Sequence, residues 1–346
     1  MRPKYFLLLS LAILLFSCNK AENQFSLDFN QNPPEYRLGD EMEVSVQNPD
    51  NIVIDSVVYF YGNMRLGKVV GNEEFLLTFK NQKLGNNPFS AKIYSQGKVS
   101  EISETLKLLY NKKPVLYTYK IIETYPHDID AYTQGLEFYQ DTLYESTGLH
   151  GISSLRKLDY KTGEVLKKID LPQKYFGEGI TVLNDKIYML TWQAGKGFIY
   201  DVNTFEQLKT FDFDKSKEGW GLTNNGKMLY KSDGTEKIWL LDPETLEEER
   251  YIQTVTNHGI TTKLNELEWV EGKIYANTYL KDGVVIIDPE TGAIEGLIDF
   301  RGLREKVTQH SKLDVLNGIA YNPKTKKLYV TGKNWDKLFE VEIIKK

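Results

Sequence analysis

Five segments of the chain begin with residues whose side chains could together form one polar pocket. The leading residues are Gln134, Glu178, Trp220, Asn265 and Asn317, at intervals of 44, 42, 45 and 52 residues. A short apolar strand, a turn and a second strand containing a tyrosine follow each of them. A period in the forties made of short strands is typical of β-propeller blades. Equivalent residues of such blades face one central channel, so we expect these side chains to meet.

A second set of residues lies four positions after the tyrosine of each second strand. It consists of Gly148, Trp192, Gly234, Tyr279 and Lys333, and we expect it near the same face. The two sets together hold a single carboxylate, Glu178, among aromatic rings, carboxamides and one ammonium. These positions differ from repeat to repeat while the strand residues recur, which favours a shared pocket. Taken singly, each residue could equally cap backbone groups or pack between sheets.

The elements that must position these residues predict an all-β protein of two domains. Residues 115–346 are predicted to form a five-bladed β-propeller. Its fifth repeat has only three strands, and residues 117–125 are expected to supply the missing outer strand and close the ring. Residues 25–112 contain short alternating stretches separated by turn formers, such as residues 84–87. They predict a small immunoglobulin-like β-sandwich.

Four aspartates recur at the last hairpin of the first four repeats. We expect them to accept hydrogen bonds from backbone N–H groups of the turn rather than to take part in catalysis. They are Asp159, Asp201, Asp242 and Asp288.

The start of the sequence predicts export and lipid attachment. A basic start precedes the apolar run from Phe6 to Phe16, which is too short to span a membrane and is typical of a secretory leader. Leu15-Phe16-Ser17-Cys18 resembles a bacterial lipobox, and Cys18 is the only cysteine. We therefore expect a lipoprotein signal peptide (1–17), a lipid on Cys18, a tether (18–24) and anchoring to the bacterial cell envelope. The alternative is an ordinary leader with an incidental cysteine.

Composition and motif spacing argue against several function classes. Hydrophobic residues make up 41% and charged residues 26% of the chain, which indicates a folded globular protein. The net charge is −5 and no long basic run occurs, so nucleic-acid binding has little support. The four histidines lack paired spacing, which argues against a zinc hydrolase. Asp128, Asp130 and Asn257 could hold a hard cation, but no calcium-binding loop matches, and we assign no metal ligand.

Seven motifs taken together resemble the plant-type glutaminyl-peptide cyclotransferases, also called glutamine cyclotransferases. The resemblance covers nearly all of residues 117–346. It implies a five-bladed propeller that converts the N-terminal glutamine of peptides or proteins to pyroglutamate and releases ammonia. The motifs are Tyr132-Thr133-Gln134-Gly135-Leu136, Gly177-Glu178-Gly179, Thr191-Trp192, Gly219-Trp220-Gly221-Leu222, Leu264-Asn265-Glu266-Leu267-Glu268, Leu316-Asn317-Gly318-Ile319-Ala320-Tyr321 and Val330-Thr331-Gly332-Lys333-Asn334-Trp335.

The resemblance also implies an active site and a reaction class, an acyl transfer by intramolecular cyclisation. Glu178 is expected to take the proton of the substrate amine and return it to the leaving nitrogen. Enclosure by aromatic rings should raise its pKa. The scheme requires no cofactor. The implied substrate-binding residues are Gln134, Trp192, Trp220, Asn265 and Lys333, with Tyr279 where the family usually has a further tryptophan.

Two other functions stay open at this point. The first is a non-enzymatic ligand-binding propeller on a surface lipoprotein, since a fold does not determine function. Such a module would not need a single enclosed carboxylate. The second is another propeller enzyme, such as a lactonase or a streptogramin-lyase-like enzyme, which would depend on a bound metal.

Overall fold

The computed structural model describes residues 25–346, which contain 28 β-strands and one 3-10 helix. The all-β class predicted from the sequence is confirmed. The predicted signal peptide, Cys18 and the tether lie outside the described residues. Within residues 25–346, no helix is long and apolar enough to cross a membrane.

The first eight strands form two sheets, one of three strands in the order β1-β3-β6 and one of five in the order β2-β8-β7-β4-β5. The turn predicted at residues 84–87 is wrong, because strand β7 begins at Gly85. Asn87 is buried there, and its side-chain amide donates to the carbonyl of Leu84 (3.2 Å). The strands are β1 (Ser26–Phe29), β2 (Glu35–Arg37), β3 (Glu41–Gln47), β4 (Ser56–Tyr61), β5 (Met64–Val70), β6 (Phe75–Thr78), β7 (Gly85–Ser95) and β8 (Lys98–Leu109).

The described chain divides into two compact units. The first contains the residues up to Asn30 together with 43–75 and 89–104, and the second contains 31–42, 76–88 and 105–346. In the second unit, Gln253 binds the backbone of Asn86 twice: its Oε1 accepts from the Asn86 N–H (3.0 Å) and its Nε2 donates to the Asn86 carbonyl (3.0 Å). The predicted domain boundary between residues 112 and 115 stays a prediction.

The remaining twenty strands belong to the second unit, with the 3-10 helix η1 (Arg304–Lys306) before the last three. They are β9 (Val115–Pro126), β10 (Thr133–Tyr139), β11 (Thr142–Thr147), β12 (Ser154–Asp159), β13 (Glu164–Asp170), β14 (Gly177–Leu183), β15 (Lys186–Thr191), β16 (Lys196–Asp201), β17 (Gln207–Asp212), β18 (Leu222–Asn224), β19 (Leu229–Ser232), β20 (Lys237–Leu241), β21 (Glu248–Gln253), β22 (Leu264–Val270), β23 (Lys273–Thr278), β24 (Gly283–Ile287), β25 (Ile294–Asp299), β26 (Leu316–Asn322), β27 (Lys327–Gly332) and β28 (Lys337–Lys345).

Three of the sheets in this unit have four strands each in sequence order, β10–β13, β14–β17 and β18–β21. The fourth has eight strands in the order β22-β23-β24-β25-β9-β28-β27-β26. Strand β9 pairs in parallel with β25 over residues 115–117 and antiparallel with β28 along residues 117–126. The predicted pairing of residues 117–125 with the last strand is therefore confirmed.

Apolar clusters join neighbouring sheets in a cycle, because both faces of each sheet carry buried side chains. Ile187 and Tyr144 belong to a cluster between β10–β13 and β14–β17. Further clusters continue to β18–β21, to β22–β25 and then to β26–β28. A last cluster, which contains Phe138 and Tyr329, joins β26–β28 back to β10–β13. The first strand of each set contacts the first strands of the neighbouring sets, so these strands lie on the inside of the arrangement. We call β10, β14, β18, β22 and β26 the inner strands.

The recurring aspartates have the predicted role in turns. Asp242 Oδ1 accepts hydrogen bonds from the backbone N–H groups of Glu244 (2.8 Å) and Thr245 (2.9 Å). Asp159, Asp201 and Asp288 accept from turn N–H groups in the same way. These carboxylates therefore fix hairpins and lie outside the cavity described next.

Candidate active site

All seven side chains predicted as catalytic or substrate-binding line one cavity of about 240 Å³. Its volume is below the roughly 300–1,000 Å³ of sites that bind drug-sized ligands, which suits a single amino-acid residue. Two aromatic residues that the sequence analysis did not assign, Tyr132 and Phe176, complete the wall. The full lining is Tyr132, Gln134, Phe176, Glu178, Trp192, Trp220, Asn265, Tyr279 and Lys333.

The residues converge because they lie at one edge of the sheets. Gln134, Glu178 and Asn265 are near the beginning of inner strands, and Trp192 and Lys333 directly follow second strands. Adjacent antiparallel strands start and end at the same edge. The pairing register shifts at the inner-strand residues, for example between Gly177 and Ile180 around Glu178. Such β-bulges redirect side chains and are frequent beside active sites.

The glycines that follow Gln134, Glu178 and Trp220 allow the inner strands to approach closely. A Cβ on Gly135 would lie 2.5 Å from the backbone nitrogen of Ile180, and one on Gly221 would lie 2.0 Å from the carbonyl oxygen of Asn265. Neighbouring inner strands therefore meet backbone to backbone beside the cavity. This contact explains the repeated pair of a polar or aromatic residue followed by glycine, which brings the leading side chains together.

Glu178 is the only carboxylate in the cavity lining of the described chain. Its side chain is 4% exposed. Oε1 accepts a hydrogen bond from Nε2 of Gln134 (3.0 Å), whereas Oε2 is buried without a hydrogen-bond partner among residues 25–346. Burial raises the pKa of Glu178 well above its usual value, although the Lys333 ammonium lowers it. The free oxygen and the raised pKa suit a group that exchanges a proton with a bound molecule.

The ammonium group of Lys333 lines the cavity. Among residues 25–346 it forms no direct ion pair. Its Nζ lies 4.7 Å from the ring centroid of Tyr132 and 5.5 Å from that of Tyr279, so both rings face the ammonium. Burial lowers the pKa of Lys333, while the carboxylates of Glu178 and Asp314 raise it. Within residues 25–346, Nζ donates no hydrogen bond. Its donors are therefore available to a ligand.

The aromatic wall is held by hydrogen bonds from behind the cavity. Oε2 of Glu218 accepts from Nε1 of both Trp192 and Trp220, each at 2.9 Å. The ring of Trp220 also packs edge-on against Tyr279, with centroids 5.8 Å apart. Glu218 does not line the cavity, but it fixes two residues that do.

Three residues of the predicted ring do not line the cavity. Asn317 was expected at the channel, but its Nδ2 donates to Oε1 of Gln134 (3.2 Å), so it supports a cavity residue from behind. Gly148 and Gly234 leave space for aromatic rings. A Cβ on Gly148 would lie 2.4 Å from the ring of Phe176, and one on Gly234 would lie 2.6 Å from that of Trp220.

The sequence analysis did not assign Tyr132 and Phe176 to the site, because they lie just before inner strands and outside the repeated segments that begin at the leading residues. Tyr132 donates a hydrogen bond from its hydroxyl to Asp314 (2.9 Å), and its ring packs edge-on against Phe176 at 6.2 Å. Each lies two positions before a leading residue, Gln134 or Glu178. That spacing was a usable signal in the sequence.

No group of three or more histidine, cysteine, aspartate or glutamate side chains in residues 25–346 is arranged to hold a metal ion. Of the residues considered for a hard cation, Asp128 instead accepts a hydrogen bond from Arg156 (2.8 Å).

Comparison with known proteins identifies the family. Residues 93–343 match the glutamine cyclotransferase family, which is most of the chain. The chain belongs to the glutamine cyclotransferase family. A glutaminyl-peptide cyclotransferase of Arabidopsis thaliana is 39% identical over 230 residues, which cover 65% of this chain and 71% of the relative. The resemblance noted in the sequence is therefore confirmed.

A solved structure of the same kind supports the assignment to the glutamine cyclotransferase family. The crystal structure of Myxococcus xanthus glutaminyl cyclase matches with a TM-score of 0.62 and 33% sequence identity. The match covers 68% of this chain and all of the other. The family match over residues 93–343 includes every residue that lines the cavity.

Proposed function

We propose that this chain is a glutaminyl-peptide cyclotransferase that converts N-terminal glutamine of peptides or proteins to pyroglutamate. The observation that carries the proposal is the position of Glu178, in a chain of this family. A single buried carboxyl, with one oxygen free, faces a cavity of one-residue size whose other walls are aromatic rings, amides and one ammonium. The reaction belongs to the acyltransferases, because the γ-acyl group passes from one nitrogen to another.

The architecture proposed for the catalytic part is a five-bladed β-propeller. Three blades correspond to the four-stranded sheets. The eight-stranded sheet supplies the other two, which are β22–β25 and the set β26, β27, β28 and β9. The cyclic packing of apolar clusters from set to set supports this count. For the N-terminal strands we propose an immunoglobulin-like sandwich, on the basis of their three- and five-stranded sheets.

The reaction joins the substrate's α-nitrogen to its own δ-carbon and breaks the bond from that carbon to the amide nitrogen. One proton must leave the attacking amine, and one must reach the departing ammonia. Oε2 of Glu178 accepts the first and supplies the second, so the carboxyl returns to its original state. A general acid–base group works best with a pKa near the working pH. Burial moves the pKa of Glu178 in that direction.

Orientation supplies a further part of the rate. The α-amine has a pKa of about 8, so a usable fraction is neutral near pH 7. Ring closure requires the glutamine side chain to fold back onto this amine. Trp192, Trp220 and Tyr279 form walls that favour the folded side chain over the extended one. Holding reacting atoms together in this way is worth several kcal/mol, up to about 7–11 in model systems.

The polar residues of the cavity have complementary roles in this scheme. Within the described chain, the side chain of Asn265 forms no hydrogen bond, so it is free to bind the substrate's carboxamide. Gln134 orients Glu178 through its hydrogen bond of 3.0 Å. Lys333 stabilises the negative charge that develops on the carboxamide oxygen as the amine attacks.

We also propose that the chain is exported and anchored to the bacterial cell envelope through a lipid on Cys18. The proposal depends on the apolar leader and the lipobox pattern alone. Metabolic labelling with a tagged fatty acid tests it. Label on the wild-type protein but not on a Cys18→Ser variant supports the anchor, and equal labelling of both contradicts it.

The decisive experiment is incubation with Gln-Ala and, as a matched control, Asn-Ala. We expect ammonia and a pyroglutamyl product from Gln-Ala only, because the shorter asparagine side chain would have to close a strained four-membered ring. Activity should survive EDTA, unlike that of a metal-dependent propeller enzyme. Binding of Gln peptides without release of ammonia would instead favour a ligand-binding protein.

A further inference from the structure

We infer that Glu218 is a positioning residue for the proposed reaction, which holds two indole rings of the cavity wall at a fixed angle. The inference rests on the proposed function only for its kinetic readout. Oε2 of Glu218 accepts one hydrogen bond from Trp192 and one from Trp220, and Oε1 accepts a third from Nε2 of Gln193 (3.1 Å). Trp192 directly follows β15 and Trp220 precedes β18, so the two tryptophans are next to different sheets. One carboxylate therefore sets their relative position.

Glu218 is itself anchored by a buried ion pair. Lys231 Nζ donates to the backbone carbonyl of Glu218 (3.0 Å) and to Oε1 of Glu248 (2.9 Å). The side chains of Lys231 and Glu248 are both fully buried. Oε2 of Glu248 in turn accepts from the backbone N–H groups of Lys215 (2.8 Å) and Ser216 (2.7 Å). Lys215, Ser216 and Glu218 of this loop are thereby bound to β19 and β21.

The buried pair and its hydrogen bonds restrict the movement of the loop that carries Glu218. Removing one member of such a pair would leave an uncompensated buried charge. Glu218 therefore presents its carboxylate from a rigid base. Two indole N–H groups share this acceptor, which helps a cavity of one-residue size to keep its shape.

Glu218 also acts on Glu178 through its charge. Burial is the main reason that the pKa of Glu178 is raised, and the negative charge of Glu218 raises it further. The two effects of Glu218 can be separated by substitution. Glutamine keeps a carbonyl oxygen that accepts the indole N–H groups but removes the charge, whereas alanine removes both.

The test compares Glu218→Gln, Glu218→Ala and the exposed control Glu206→Gln, with steady-state kinetics on Gln-Ala over a range of pH. For Glu218→Ala we expect kcat/KM to fall about 10- to 100-fold, the scale on which misplaced groups affect catalysis. For Glu218→Gln we expect a smaller fall and an acidic limb of kcat/KM shifted to lower pH, because the pKa of Glu178 drops. Glu206→Gln should match the wild type.

A double substitution tests whether Glu218 acts through an indole. Trp192→Phe keeps an aromatic ring but loses the N–H donor. If Glu218 positions that ring, the double variant should lose less kcat/KM than the product of the fold-losses of Glu218→Ala and Trp192→Phe alone. The reason is that the effects of substituting two partners of one interaction are not additive. Independent losses and an unchanged pH profile would overturn the inference, even if every variant folds.

The outcome can be distinguished from failure of the proposed function. A wild-type chain that releases no ammonia from any Gln peptide contradicts the proposed function. Near-ultraviolet circular dichroism then still tests the structural claim, since Glu218→Ala should alter the tryptophan bands and Glu218→Gln should largely preserve them. An active wild type with Glu218 variants of unchanged kcat/KM and unchanged spectra contradicts this inference alone.

Discussion

Glu178 and a trio of other glutamates all lie on inner strands, yet their carboxyls are hydrogen-bonded in different ways. The trio is Glu137, Glu266 and Glu268, and all four side chains are at most 8% exposed. Burial raises the pKa of each of them. Glu137 and Glu268 even line a cavity of about 220 Å³ at the other end of the inner strands. Burial, a raised pKa and a nearby cavity therefore do not distinguish the two groups.

Hydrogen bonding does distinguish them. The carboxyls of the trio accept hydrogen bonds from backbone N–H groups of a neighbouring inner strand. For example, the Val182 N–H donates to Glu137 (3.0 Å) and the Ile319 N–H donates to Glu266 (2.9 Å). These bonds join adjacent sheets. The Oε2 of Glu178 accepts none among residues 25–346, and its other oxygen is bonded only by a side chain. A carboxyl whose hydrogen bonds are already used by the fold supports the structure, whereas one with a free oxygen can exchange a proton with a substrate.

The largest expected effect separates the two groups by activity. Glu178→Gln should lower kcat by about 100-fold or more, the usual scale for loss of a general acid–base group, and leave the fold intact. Glu268→Gln is the matched control, because it changes an equally buried carboxyl to an amide, and it should keep wild-type turnover. Ammonia release from Gln-Ala measures both. Equal losses of kcat in the two variants would contradict the difference drawn between Glu178 and the trio.

Substitutions in the trio should lower the free energy of unfolding more than substitution of Glu178 does. Glu137→Ala leaves the Val182 N–H and the Thr181 hydroxyl without their acceptor, so unfolding should become easier by about 1–3 kcal/mol. Glu178→Ala removes no acceptor from the backbone and should cost less. Urea unfolding followed by circular dichroism measures the difference. A larger loss of stability for Glu178→Ala than for Glu137→Ala would argue that Glu178 is the structural residue.

The aromatic wall gives a further contrast. Trp192→Ala should raise KM for Gln-Ala about tenfold, which corresponds to about 1.4 kcal/mol of lost binding. Trp269→Ala provides a control, because Trp269 lines the other cavity. Initial-rate kinetics on folded protein test the prediction. A normal KM in Trp192→Ala would mean that the indole does not contact the substrate.

A last expected effect, on the pH dependence of stability, is shared by both groups. Burial raises the pKa of Glu137 from 4.5 to about 7, so the folded protein binds its proton more tightly than the unfolded chain does. Stability should therefore decrease as the pH rises from about 4.5 to about 7, by at most about 1.4 kcal/mol per pH unit for each such group. Glu137→Gln and Glu178→Gln should each reduce this slope. Chemical unfolding at several pH values measures it, and a slope unchanged in both would contradict the raised pKa values.

The sequence predicted which side chains gather at one cavity, because their positions are periodic. The leading residues share one place in a repeat, so Gln134, Glu178 and Asn265 could be assigned to one edge before any coordinates were known. Glu218 lies two positions before Trp220, the same spacing as Tyr132 and Phe176, but its contact with both indoles could not be found in this way, because it depends on a distance between two sheets. Asn317 fitted the period but points to Gln134 instead of the cavity, a distinction that only side-chain contacts reveal.

The N-terminal strands were harder to predict for a different reason. Strand β5 (Met64–Val70) is largely exposed and contains a glycine, so it lacks a clear alternation of apolar and polar residues. The start of β7 contains Asn86 and Asn87, which usually favour turns. Here the Asn87 amide donates to nearby carbonyls and Asn86 pairs with Gln253, so tertiary contacts outweigh local preference.

The pairing of β9 with β28 has a consequence for biosynthesis. Tyr117 pairs with Lys345, so the edge of β9 stays without that partner until nearly the whole catalytic part has left the ribosome. An open strand edge on a nascent chain is prone to join other chains. The order of synthesis thus leaves this edge of β9 open until its late partner arrives.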